Sequence, residues 1–281
     1  MTISSVQSER HYYDTFPAGP FQTGDIWSNI PSNGLLEASV TFGLLITPAC
    51  DLQNRKSDTL AFMPIVSVRE AMKSRFMIRK FSSELKQDID QLFPDLSDVC
   101  DFGDADFLTE ISNRLSVDSP DLRNKTKPCE RLNAWLSFLR MNEVPSDLGL
   151  PFLKPKYRDD IFRTIIKNSF SHDIHFFPRQ RLDPIPAFRE HSVCLFRYIQ
   201  TFPVEIFELA NRSSETVWHK SLTATSPFFA SRFNDLPVRV LRLKHDICVD
   251  LITRFTSLYN RIGSADFTDI CIEDFLKELG Q

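Results

Sequence analysis

Residues 24–66 read GDIWSNIPSNGLLEASVTFGLLITPACDLQNRKSDTLAFMPIV. Asp25–Trp27 opens with a short strand signal, a polar turn-rich insert follows, and Val40–Ile46 is an almost unbroken apolar run. Pro48–Lys56 is a turn or short excursion before a second apolar run at Leu60–Val66. Short apolar runs punctuated by Gly, Pro, Asn and Asp are the pattern of strands in a small buried barrel. This stretch alone holds too few strands to close one.

Outward from it, the period changes near Ala71 from two to three or four. Ser83 is placed to cap a helix with Leu85, Ile89, Leu92 and Phe93 on one face, and Phe107, Leu108, Ile111 and Leu115 mark another. Cys129–Met141 and Tyr157–Phe170 carry one-sided apolar stripes. Strand patterns return at Ile174–Pro178, Val193–Ile199 and Val204–Leu209. Asp235–Pro237 then reads as the start of the longest helix, with Val240, Ile247, Leu251, Phe255, Leu258 and Ile262 at helical spacing, and Asp269–Leu279 as a last short one. The expectation is an α+β chain: 1–23 an N-terminal arm, 24–70 the first part of a β-barrel, 71–170 a helical insertion, 171–225 the remaining strands and 226–281 C-terminal helices. Two separate domains are the alternative.

Charged residues make up 25% of the chain and the formal net charge is −4, so no overall basic character advertises nucleic-acid binding. The six cysteines are widely spaced, which fits neither a disulfide scaffold nor a Cys-x-x-Cys site and points to a reduced, cytoplasmic protein. No apolar run reaches the length of a membrane span, and no Gly-rich phosphate loop or other cofactor motif is present. Twenty-five phenylalanines are unusual for this length; most belong to the core, which leaves a few for helical faces. Surplus rings and arginines suit a protein interface, pointing to a protein partner or a homo-oligomer.

Gly24–Trp27 (GDIW), Leu44–Pro48 (LLITP), Asn54–Asp58 (NRKSD) and Ala61–Val66 (AFMPIV) follow one another in an order that resembles the core of the MazF/PemK toxin family. The resemblance implies a compact SH3-like barrel and a place in bacterial toxin–antitoxin or phage-defence-like systems. Family members cleave single-stranded RNA by metal-independent acid–base chemistry. They place an arginine in the turn before the central strand and a threonine after the Pro-Ile pair. Here Ser32–Ser39 contains no basic residue, and Val66, which cannot exchange a proton, follows Pro64 and Ile65. The resemblance therefore implies the fold without the usual catalytic residues.

Other groups carry chemistry of their own. Cys50 and Asp51 follow the central strand at the expected barrel rim, but a carboxylate disfavours the neighbouring thiolate, so packing and turn closure compete with ligand contact. His172 and His175 share a His-x-x-His spacing that a strand would send to opposite faces, and no second cluster completes a metal site. Arg179, Arg181 and Arg189 lie among Phe176, Phe177 and Phe188, and Arg239, Arg242, Lys244 and His245 form a second basic group. With Arg55 and Lys56 they would make a grip for RNA or another single-stranded nucleic acid if they shared a face. The reading is a non-catalytic binding or regulatory component with Cys50, Asp51, Arg55, His172, His175, Arg179, Arg181 and Arg242 as candidate contacts, no metal and no cofactor. The alternative is an RNA-cleaving toxin whose acid–base site has moved to residues 172–189.

Overall fold

The computed structural model describes residues 12–15, 19–32, 40–72, 75–99, 104–116, 124–141, 150–180 and 187–259. The apolar runs become strands β2 (Asp25–Pro31), β3 (Val40–Leu45) and β4 (Thr59–Ser67), with β1 (Tyr13–Thr15) ahead of them. Helix α1 (Ala49–Gln53) fills the excursion between β3 and β4. Helices α2 (Val68–Met72), α3 (Arg75–Leu92), α4 (Ala105–Ser116), α5 (Thr126–Met141) and α6 (Pro155–Ile166) follow. The chain continues through β5 (Ile174–Phe177), β6 (Ser192–Leu195), β7 (Gln200–Pro203), α7 (Val204–Arg212), α8 (Glu215–Thr225), α9 (Pro227–Ala230), β8 (Val238–Leu243) and α10 (His245–Tyr259). All pairings are antiparallel, in the order β1-β8-β2-β3-β4-β6-β5 with β7 also on β4. The strands within 174–203 thus join the same sheet that residues 24–66 begin.

Strand β4 is the hub. Its first half pairs with β7, ending at Phe62↔Gln200, and its second half pairs with β6, starting at Ile65↔Cys194. Pro64 falls in the gap between the two partners, where its missing N–H costs no ladder bond. Leu60 and Phe62 point into a core shared with Trp27, Phe202, Phe207 and Trp218; Met63 and Ile65 point into a second core against α10. Val66 and Val68 reach a third, built by α3–α6 around Phe81, Trp135 and Phe152. On β3, Gly43 sits where a Cβ would lie 2.9 Å from Ile30 Cγ1 and 3.0 Å from Phe62 Cδ1, so these side chains close over bare backbone.

The sheet is curled. Strand β2 carries irregular register against both neighbours, and Asn29 holds a left-handed φ of 61° there while its Nδ2 donates to Leu236 O at 2.7 Å. Such bulges bend and twist a strand. The curl brings the sheet's first and last strands together: Tyr13 of β1 stacks on Phe177 of β5 with ring centroids 6.4 Å apart. The outward backbone groups of β5 are covered by side chains. Arg254 Nη2 donates to Ile174 O at 3.4 Å, Phe176 N–H donates to Asn168 Oδ1 at 2.6 Å, and Tyr13 Oη donates to Pro178 O at 2.9 Å. Three side chains, from β1, α10 and the turn after α6, thus mask an edge that would otherwise template pairing.

Several boundaries differ from the sequence reading. Helix α3 starts at Arg75, so Ser83 is inside it and not its cap, and α6 ends at Ile166, before Phe170. Val204–Leu209 is helix α7, not strand: Ile206, Phe207 and Ala210 are buried while Glu205, Asn211 and Arg212 are exposed, a helical stripe that a six-residue window cannot separate from alternation. Val238–Leu243 is strand β8, not the opening of the long helix, which begins at His245. Its arginines are held there by a buried partner far away in the chain, Asp25. The expected helix at 269–279 lies outside the described residues. Among the described residues no helix is long and apolar enough to cross a membrane.

Candidate functional site

Asp25 has no exposed surface, and its carboxylate organises one end of the sheet. It accepts from Arg242 Nε at 2.6 Å, Arg239 Nη1 at 3.2 Å and the Gln22 N–H at 2.9 Å. In a regular strand Arg239 and Arg242 would face opposite ways. Residue 242 is opposite Asp25, 241 opposite Ile26 and 239 opposite Trp27, so β8 has one extra residue, Val240, at this point. That bulge turns both arginines onto the face of Asp25. Their remaining donors hold the preceding turn: Arg239 Nη2 binds Gly19 O at 2.8 Å, Arg239 Nη1 binds Pro20 O at 3.1 Å, and Arg242 Nη2 reaches Pro20 O at 3.4 Å. Arg239 also lies 5.6 Å above the Phe21 ring, which meets Trp27 edge-on.

The turn so fixed is one wall of a cleft of about 610 Å³. The end of α1 and the loop that follows it, from Leu52 to Asp58, form a second wall and the exposed face of α7 the third. The walls are tied together, because Val204 N–H at the start of α7 donates to Asp58 O at 3.1 Å and β7 pairs with β4 just behind. The loop is braced by Asn54 Nδ2 to Cys50 O at 2.7 Å, Lys56 N to Asp51 O at 2.9 Å and Ser57 Oγ to Thr59 O at 2.6 Å. Within it Arg55 adopts φ +49°, a left-handed conformation that disfavours a side chain with Cβ and recurs at functional sites. Arg55, Asp58, Glu205, Glu208 and Arg212 all line the cleft, and none has an ion-pair partner among the described residues. A cleft of this volume falls within the range of small-ligand sites, roughly 300–1,000 Å³.

Of the candidate contacts read from the sequence, Arg55 lines this cleft. Cys50 and Asp51 lie in the first turn of α1 outside its lining, with Cys50 Sγ 3.6 Å from Asp51 Oδ1. Arg242 is engaged with Asp25. His172 is exposed in the turn before β5, while His175 is buried, so the pair does not converge. Arg179 is half-buried, its N–H donating to His191 Nδ1 at 3.1 Å, and Arg181 lies outside the described residues. Among the described residues no group of three or more His, Cys, Asp or Glu is arranged to hold a metal.

His175 forms a second polar centre. Arg254 Nη1 approaches its Nδ1 at 3.3 Å, and Nε2 is buried with no hydrogen-bond partner among the described residues. Desolvation and the Arg254 charge hold the imidazole neutral, with a pKa lowered to about 3. Arg254 Nη2 also donates to Asn168 O at 2.8 Å, and Tyr12, its own pKa raised by burial, packs 6.4 Å from the imidazole. An imidazole so depressed is a weak base near neutrality.

Sequence reasoning missed Phe21, Asp58, Glu205, Glu208 and Arg212. The helical spacing of Glu205, Glu208 and Arg212 was a usable signal, hidden once Val204–Leu209 was read as strand. Phe21 and Asp58 come from segments nearly two hundred residues and nearly a hundred and fifty residues before α7, roughly, a distance no local pattern bridges. No family model, no curated protein and no solved structure matches the chain.

Proposed function

We propose that the protein is a non-catalytic binding component whose ligand seat is the cleft between the 19–21 turn, the 52–58 segment and α7. The observation that carries this reading is Arg55, held in a left-handed backbone conformation on the wall of a cleft whose charged side chains have no ion-pair partner among the described residues. Strain retained beside uncompensated charge is the mark of a surface arranged for something other than stability. The resemblance of 24–66 to MazF/PemK barrels supports a role in a toxin–antitoxin or defence-like system, in which the barrel serves as platform and not as nuclease. Burial of Val66 at the position of the family's threonine agrees with a structural role for that residue. Against an acid–base site within 172–189 weighs the burial and depressed pKa of His175.

Ligand-observed NMR with a fragment library tests the seat. Hits on the wild-type chain are expected to lose saturation transfer in Arg55→Gly and Glu208→Gln variants. Hits indifferent to both variants place the binding surface elsewhere. Metal-free cleavage of single-stranded RNA by the purified chain, abolished by His172→Ala or Arg189→Ala, would make the non-catalytic reading wrong.

A further inference from the structure

We infer that the cleft takes a short polypeptide segment carrying a basic and an acidic side chain within a few residues of each other, an inference that rests on the cleft being the ligand seat. The charge lining selects the class. Glu205, Glu208 and Arg212 stand on the exposed face of α7 at i, i+3 and i+7, and Arg55 and Asp58 face the same space from the opposite wall. Two guanidiniums and three carboxylates therefore border one volume of about 610 Å³ with no ion pair among the described residues to answer them.

Each single-sign ligand fails against this lining. A nucleic acid would bring a row of phosphates against three carboxylates, and like charges brought together out of water are costly. A purely cationic ligand would leave Arg55 and Arg212 desolvated and unpaired. A ligand with both signs answers both sets.

The uncharged lining narrows the class to polypeptide. Gln53 and Asn211 offer primary amides, each with a carbonyl acceptor and an N–H₂ donor, the pair of groups that a peptide backbone complements. Phe21 and Val204 supply apolar surface for side-chain stems. The volume admits a few residues of chain and not a folded surface, so the recognised element is a linear segment.

Selection of a random dodecapeptide phage library on the full chain, with counter-selection on an Arg55→Gly/Glu208→Gln variant, tests the class. Enriched sequences are expected to pair a Lys or Arg with an Asp or Glu within a few positions. The best synthetic peptide should lose about tenfold or more in affinity on Arg55→Gly, and a similar amount when its own acidic residue becomes Ala, with the two losses not adding because they report one contact. A decamer of uridylate, labelled and titrated in parallel, is expected not to bind at the cleft. Single-sign peptides, or the uridylate, binding in an Arg55-dependent manner overturn the mixed-charge class while leaving the ligand seat in place. Absence of any ligand sensitive to the cleft variants overturns both. Circular dichroism and melting of each variant confirm that lost binding is not lost folding.

Discussion

Tyr13 Oη donates a 2.9 Å hydrogen bond to the carbonyl of Pro178, and with it the first strand of the sheet is joined to the end of the last. The closure is made by a side chain and ring packing, not by a backbone ladder between β1 and β5. Removing the hydroxyl alone isolates that contact. Tyr13→Phe is expected to cost about 1 kcal/mol, the usual net value of a buried hydrogen bond. Tyr13→Ala is expected to cost about 3–5 kcal/mol by analogy with other buried aromatic truncations. Urea unfolding midpoints at constant slope measure both, and a Tyr13→Phe protein as stable as wild type would show the bond contributes nothing.

Asp25→Asn keeps the shape of the buried carboxylate but leaves Arg239 and Arg242 without their counter-charge. Breaking a buried ion pair from one side costs about 3–5 kcal/mol. The same change should loosen the Gly19–Pro20 turn, visible as faster amide exchange in residues 19–24, because both arginines hold its carbonyls.

Gly43→Ala would insert a methyl within 3.0 Å of Ile30 and Phe62. Overpacking of this kind costs about 1–3 kcal/mol. A melting temperature equal to wild type would mean the two side chains can yield.

For Arg55 the two effects of one substitution separate. Arg55→Gly removes a Cβ from a left-handed position, a relief of about 1 kcal/mol, partly offset by the entropy that glycine gains in the unfolded chain. Stability should therefore be unchanged or slightly raised while ligand binding falls. A marked loss of stability would make Arg55 a structural residue.

His175 predicts a pH dependence with a definite sign. Its folded pKa of about 3 lies below the unfolded value near 6.5, so between those limits the unfolded state binds the extra proton. The contribution is intact above about pH 6.5 and is lost as pH falls toward 3, at up to about 1.4 kcal/mol per pH unit. In His175→Gln the wild-type-minus-variant stability difference should shrink from pH 7 to pH 5. A difference constant over that range would show that the imidazole titrates normally.

The buried strands were legible because β3 and β4 are continuous apolar runs, a local property. Strand β8 was not, since Val-Arg-Val-Leu-Arg-Leu adjoins a strong helical stripe and its arginines are explained by Asp25, more than two hundred residues earlier by the 214 and 217 separations. Helix α7 is ambiguous in the sequence because four apolar residues in six fit both periods, and only the burial of Ile206, Phe207 and Ala210 on one side decides between them. The cleft inherits that ambiguity. Arg55 was found as a charged residue after a buried strand, whereas its companions on α7 depended on knowing that α7 is a helix.

The place of β8 between β1 and β2 has a consequence for how the chain is born. Strand β2 leaves the ribosome before β8, the neighbour that covers its outer edge, which is about two hundred residues behind, a wait of roughly 10–40 s at about 5–20 residues per second. Throughout that interval β2, β3 and β4 can pair with one another while one hydrophobic flank stays open to other chains. The helices of 75–166, which share one core built largely from their own residues, can begin to pack on one another meanwhile. Nascent chains halted before Leu243 are accordingly the form of this protein most in need of a chaperone.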